Sequence, residues 1–198
     1  MKENIVVVLD LETTGLSPYR HKITEIAAVK IKNGVVIDEF SSLINPQEPI
    51  PAFITRLTGI SDELVKDSPT IEEVLPALKN FLSDHTIVAH NASFDFNFLK
   101  FNFLSCLKHE LNNPVLCTVK LANRVHSDLP SKKLSSLCEF YGLTNDNAHR
   151  AMSDVLVTKD IFLNMVNKLS KKGLSSLKDI KHFESLPRYK AVSLFLDE

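Results

Sequence analysis

Ile5-Val6-Val7-Val8-Leu9-Asp10-Leu11-Glu12-Thr13-Thr14-Gly15-Leu16 places an apolar, mostly β-branched run directly before two acids. The run 5–9 reads as a central strand buried on both faces. Asp10 and Glu12 end it. Residues two apart along a strand share a face, so both carboxylates point one way and Leu9 and Leu11 the other. Open α/β sheets build their sites at the carboxyl ends of central strands. Two carboxylates held so close repel unless a cation lies with them or one takes up a proton. Oxygen donors alone select a hard divalent ion such as Mg²⁺ or Mn²⁺. The plainer use of the pair is a loop cap at Asp10 and an exposed Glu12.

Outward from this strand, 23–31 and 35–44 are two more strands, and Lys32-Asn33-Gly34 between them is a hairpin turn, because Asn-Gly tolerates positive φ. The opening is a three-stranded antiparallel meander. The pattern then turns helical over 70–82, with Ile71, Val74, Leu75, Leu78 and Leu82 at helical spacing and Pro76 expected to disturb or bend the helix. A short strand at 86–89 precedes an aromatic-rich buried helix over 94–107, carrying Phe94, Phe98, Phe101, Leu104 and Leu107. Another short strand follows at 114–117. Helices are expected over 134–141, ended by Gly142, and over 151–169, ended by Gly173. The stretch 175–196 is weakly helical, a tail or an oligomer contact. Three antiparallel strands followed by helix-strand-helix-strand-helices suggest one mixed sheet with helices on both faces. The division expected is a main domain over 1–170 and a helical C-terminal tail over 171–198.

Composition bounds the function classes. At 198 residues, 44% hydrophobic and 24% charged, the chain can bury a core without staples. No apolar run approaches the roughly 18 residues of a spanning helix, so no membrane partner is expected. Met1-Lys2-Glu3-Asn4 lacks the pattern of a leader. Cys106, Cys117 and Cys138 are odd in number and unpatterned, which fits a reduced, cytoplasmic protein. A net charge of -1 means that bulk electrostatics does not announce a nucleic-acid binder. The stretch 166–190 is locally basic, with Lys168, Lys171, Lys172, Lys178, Lys181, Arg188 and Lys190 against Asp179 and Glu184, and reads as a solvated helix face.

Two more stretches carry chemistry. His90-Asn91-Ala92-Ser93-Phe94-Asp95 follows the strand at 86–89 and puts an acid in the first turn of a helix. Capping is its simplest use; beside a second acidic pair, a third metal-site carboxylate is the better reading. In His149-Arg150-Ala151-Met152-Ser153-Asp154, five residues on a helix are about 140° of rotation. His149 therefore belongs in the loop before the helix, with Asp154 in its first turns. An imidazole so placed can take a proton near neutral pH. Thr13, Thr14, Gly15 and Leu16 offer hydroxyls, backbone N–H groups and a turn suited to a phosphate and a terminal sugar, or serve as an ordinary turn.

Together, Asp10-Leu11-Glu12-Thr13-Thr14-Gly15-Leu16, His90 to Asp95 and His149 to Asp154 resemble, in order, the three exonuclease motifs of the DEDDh family, the group that includes the proofreading epsilon subunit of bacterial DNA polymerase III and ribonuclease T. Leu57-Thr58-Gly59-Ile60, Leu129 to Leu134, Leu137 and Tyr141-Gly142-Leu143 resemble its linking segments, and the likeness covers about 5–167. The resemblance implies a ribonuclease H-like fold with sheet order 3-2-1-4-5. It implies two divalent ions, Mg²⁺ or Mn²⁺, about 4 Å apart. Asp10 would bridge both, Glu12 and Asp154 would hold the one with the attacking water, and Asp95 would help place the second. His149 would be the general base; the tyrosine subgroup places its residue at the position of Arg150. Thr13, Thr14, Leu16 and Phe94 would hold the terminal nucleotide, with Gly15, His90 and Asn91 beside them.

The implied reaction is metal-dependent 3′→5′ hydrolysis of DNA or RNA, releasing nucleoside 5′-monophosphates. The implied partners are a single strand with a free 3′ end and a polymerase subunit; a homodimer through the C-terminal helices is a further expectation. DNA against RNA stays open, since the distinction rests on contacts to the 2′-hydroxyl. So do a stand-alone RNA-trimming enzyme, a haloacid-dehalogenase-type phosphatase with Asp10 as nucleophile, and a non-catalytic polymerase-binding module.

Overall fold

The computed structural model describes residues 5–195. The opening 1–4 and the last residue of the expected 175–196 helical stretch lie outside them. Among the described residues five strands form one sheet: β1 (Ile5–Thr13), β2 (Ile23–Lys32), β3 (Val35–Leu43), β4 (Thr86–Ala89) and β5 (Val115–Cys117), in the order β3-β2-β1-β4-β5. The β1–β2 and β2–β3 pairs are antiparallel, and β1–β4 and β4–β5 are parallel. This is the expected ribonuclease H-like order. Asn33 and Gly34 take φ of 53° and 81°, the positive values that let a two-residue turn follow the twist of its strands.

The strand β1 lies between β2 and β4, and its alternation splits the interior in two. Val6 and Val8 join a core with Ala27 and Val29 of β2. Onto it pack α5 (Thr118–Val125), α6 (Leu134–Tyr141), α7 (Ala151–Ser170) and α8 (Leu177–Ser185), through Leu121, Leu137, Val155, Ile161 and Phe183. Val7, Leu9 and Leu11 belong to a second core with Leu75 and Leu78 of α3 (Ile71–Leu82) and Phe98 and Phe103 of α4 (Ser93–Leu107). Asp10 and Glu12 continue the Val6–Val8 row, so they face the side that α7 covers.

Helix α3 runs through Pro76, which sits on its exposed side, and opens where Glu73 accepts the Thr70 N–H at 2.8 Å. Helix α4 buries a different stripe from the one expected: Phe98, Leu99 and Phe103 are inside, whereas Leu104 is 55% exposed. Apolar residues are spread around the helix and Asp95 and Asn102 are buried with them, so no single face is marked, and packing against β1 and α3 chooses it. Three short helices were not foreseen: α1 (Ala52–Thr58), α2 (Asp62–Val65) and α5. They are too short to show a period, although Gly59, left-handed at the end of α1, and Ser61, whose side chain accepts the Leu64 N–H, are local signals.

The C-terminal segment is joined to the same core. Ile180 and Phe183 of α8 and Ala191 of α9 (Arg188–Ser193) are buried in it. Glu184, 4% exposed, accepts the Cys117 N–H at 2.7 Å and the Lys181 ammonium at 2.5 Å, and Lys181 also bonds the Val115 carbonyl. Helix α8 thereby covers the outer edge of β5, a row that would otherwise stand unpaired. Among the described residues no helix is long and apolar enough to cross a membrane.

Candidate active site

The three motifs meet at the carboxyl end of β1. Asp10 and Glu12 project from the strand, Asp95 from the first turn of α4, and Asp154 from the first turn of α7. His149 lies in the preceding loop with φ of 65° and is exposed, as the spacing predicted. One ligand atom from each of Glu12, His149 and Asp154 falls within a common 4.8 Å. Asp95 is buried, and its Oδ1 accepts the Leu11 N–H at 3.1 Å, which stitches α4 to the acidic end of β1.

The electrostatics is that of crowded like charges. Burial foremost, then Asp95, Asp154, Glu12 and Glu25, holds the Asp10 carboxyl well above the usual carboxylate range. Glu12 is pushed up to about 8 by burial and then by Asp154, Glu25 and Asp95, with Arg150 pulling the other way. Asp95 is also raised to about 8 by burial, against the backbone N–H bonds that favour its anion. Such a set is stable when ionised only with added positive charge. An all-oxygen donor set around that deficit suits a hard divalent cation, so the residues fit the metal chemistry that the motifs implied.

Asp154 has a second layer around it. The Asn145 amide donates to Asp154 Oδ1 at 2.6 Å, and Ser153 Oγ donates to Asn145 Oδ1 at 2.5 Å. A cleft of about 640 Å³ opens beside it, lined by His149, Asp154, Asn145, Lys133, Ser135 and Cys138 among others. Neither Asn145 nor this cleft was anticipated from the sequence.

The expected substrate residues divide by what already occupies them. Leu16 is 84% exposed and Asn91 is exposed with φ of 59°. Thr13 Oγ1 instead donates to the Gly15 carbonyl at 2.7 Å, and Thr14 Oγ1 donates to Glu48 at 3.0 Å and accepts the Lys22 N–H at 2.9 Å. Their hydroxyls brace the loop. Gly15 lies against the His21 ring, so close that a Cβ would stand 2.4 Å from its carbon. His90 Nδ1 lies 2.9 Å from Thr118 Oγ1, and burial lowers its imidazole to about 4, which keeps it neutral. Phe94 is half-buried against Phe98, ring centres 5.1 Å apart.

Comparison with known proteins agrees with this geometry. The family model described as Exonuclease matches residues 7–162. DNA polymerase III PolC-type of Caldanaerobacter subterraneus subsp. tengcongensis is 44% identical over 178 residues, covering 90% of this chain and 13% of that protein. The PolC-type polymerase of Bacillus subtilis is 37% identical over 175 residues, covering 88% and 12%. This chain thus spans about an eighth of the length of those relatives. The solved structure of Exonuclease X in complex with 5′ overhanging duplex DNA superposes with a TM-score of 0.70 at 28% identity, covering 83% of this chain and 93% of that one. The chain belongs to the exonuclease family. The phosphatase alternative for Asp10 falls with that membership.

Proposed function

We propose that this chain hydrolyses DNA from a single-stranded 3′ end, releasing nucleoside 5′-monophosphates one at a time, in the setting of a replicative DNA polymerase. One observation supports it above the rest: four carboxylates from three separate segments and one imidazole converge at the end of the central strand. Asp10, Glu12, Asp95 and Asp154 would hold two divalent cations, Mg²⁺ or Mn²⁺. Those ions, when bound, would neutralise the scissile phosphate and lower the pKa of the attacking water.

The protein groups do the rest. His149, exposed and with a ring nitrogen within a common 4.8 Å of a Glu12 and an Asp154 oxygen, accepts the proton of that water. Leu16 and Asn91, the exposed members of the two flanking turns, meet the terminal nucleotide. Thr13, Thr14 and Gly15 shape the loop that presents Leu16. The preference for DNA, and the polymerase partner, rest on the PolC-type relatives and on the DNA complex of Exonuclease X. A cytoplasmic location accords with that setting and with Cys106, Cys117 and Cys138, which are free thiols.

The test is digestion of 5′-labelled single-stranded DNA and RNA with Mg²⁺, with Mn²⁺ and with chelator. Stepwise shortening from the 3′ end, faster on DNA and stopped by chelator, by Asp154→Ala and by Asp10→Ala, is expected. Attack from the 5′ end, cutting in chelator, or full activity in Asp10→Ala would refute it.

A further inference from the structure

A fifth acid borders the site. Glu25 of β2 is the register partner of Glu12 across the antiparallel β1–β2 pair, so its side chain rises on the same face. It is 4% exposed. By position it could pass for another metal ligand.

Its oxygens are already engaged. Oε1 accepts Arg150 Nη2 at 2.9 Å, and Oε2 accepts Arg150 Nε at 3.2 Å and the Ala151 backbone N–H at 2.9 Å. The guanidinium fork is met by both carboxylate oxygens, the geometry that makes such pairs directional. The same carboxylate stands at the N-terminus of α7, where the helix favours negative charge. Arg150 thus neutralises Glu25 and leaves the other four acids for cations.

The clamp grips the chain at one point. Ala151 is the first residue of α7, and the Arg150 carbonyl accepts the Asp154 N–H at 3.1 Å. His149 comes immediately before, in the left-handed region. A side-chain-bearing residue stays there when its surroundings over-determine it. The two hydrogen bonds to Arg150 and the one to Ala151 supply that constraint from a strand 125 residues away.

We propose that Glu25 is a positioning residue: through Arg150 and Ala151 it sets where the His149 imidazole stands beside Glu12 and Asp154, and it is not itself a metal ligand. The proposal rests on the reading of His149 as the proton acceptor.

The experiment is single-turnover digestion of an oligonucleotide by Glu25→Gln, Arg150→Lys, Arg150→Gln and the double Glu25→Gln/Arg150→Gln, each also placed on His149→Ala. Melting curves set the temperature at which every variant is folded, and Arg150→Lys, at a half-exposed site, serves if Glu25→Gln does not fold. Glu25→Gln is expected to lower the rate about 10- to 100-fold, the scale of a misplacement of about 1 Å, with KM unchanged. The double variant should be no slower than the slower single, because the two residues act as one unit. On His149→Ala none of these changes should slow the enzyme further. A loss that multiplies on His149→Ala would make Glu25 a ligand or a general prop and overturn the proposal. Full turnover in Glu25→Gln with an inactive His149→Ala would sink the positioning claim alone. Full turnover in His149→Ala would sink the proton-acceptor role and this claim with it.

Discussion

Glu12 and Glu25 stand directly opposite each other on β1 and β2; Arg150 forks onto Glu25, while Glu12 keeps a carboxyl pushed up to about 8. One strand pair thus holds a neutralised acid beside an acid poised to take a cation. The site's charge deficit is built on that difference, and it has consequences that solution measurements can read.

The first is stability against pH. Glu12 and Asp95 are both raised to about 8, burial being the largest cause. A carboxyl whose folded value exceeds its unfolded value near 4 binds more protons in the folded state. Its contribution is full below about 4 and is lost as pH rises through about 8. The metal-free protein should therefore melt at progressively lower temperature from pH 5 to pH 9, and Mg²⁺ or Mn²⁺ should restore most at the upper end. Glu12→Gln should raise the metal-free melting temperature at pH 8 while abolishing turnover. Melting curves with and without chelator decide it; a pH-independent temperature in chelator, with no response to metal, would contradict it.

The second concerns Asn145, whose amide fixes one oxygen of Asp154 at 2.6 Å. Groups that orient a ligand in this way are typically worth about 10- to 100-fold in metal affinity. Asn145→Ala should weaken Mn²⁺ binding by that factor in calorimetric titration and leave the melting temperature of the metal-free protein nearly unchanged. Wild-type affinity in this variant would show the contact to be incidental.

The third concerns Gly15. A Cβ there would stand 2.4 Å and 2.5 Å from two atoms of the His21 ring, whose Nδ1 accepts the Ser17 N–H at 3.1 Å. Displacing that ring undoes the turn that presents Leu16. Gly15→Ala should cost about 1–3 kcal/mol of stability, the usual range for overpacking, and lower kcat/KM. His21→Ala in the same chain should recover most of the lost stability by making room. If the double variant is no more stable than Gly15→Ala, the clash is not the cause.

The fourth concerns the edge of the sheet. Glu184 is buried and holds both the Cys117 N–H and Lys181. Glu184→Ala leaves that amide unsatisfied and should cost about 1–3 kcal/mol in urea denaturation. Removing 171–198 should uncover Met165 and Leu169 of α7, which share a core with Ile180 and Phe183, and yield aggregating protein. A truncated chain that melts like the full one would overturn this.

Much of this is legible in the amino-acid sequence. The β-branched run before Asp10, the period of two that aligns Asp10 with Glu12, and the Asn33-Gly34 turn are local statements, and the chain obeys them. The helical spacing over 70–82 survives Pro76 because that residue faces solvent. The buried stripe of α4 was misread because Phe and Leu surround that helix, so no face was marked. Helices α1, α2 and α5 passed unseen because four to eight residues are too few to display a period.

By itself, then, the sequence determined the strands and long helices, the order of the three acidic motifs and the place of His149 before a helix, since each depends on neighbours a few positions away. Only the tertiary structure decided that Glu25 clasps Arg150, that Asn145 steadies Asp154, that Thr14 ties its loop to Glu48, and that Glu184 closes the edge of β5. The reason is distance along the chain. Periodicity reports which way a side chain points, but which partner meets a carboxylate 67 or 125 residues away is settled only when strands and helices pack into one body.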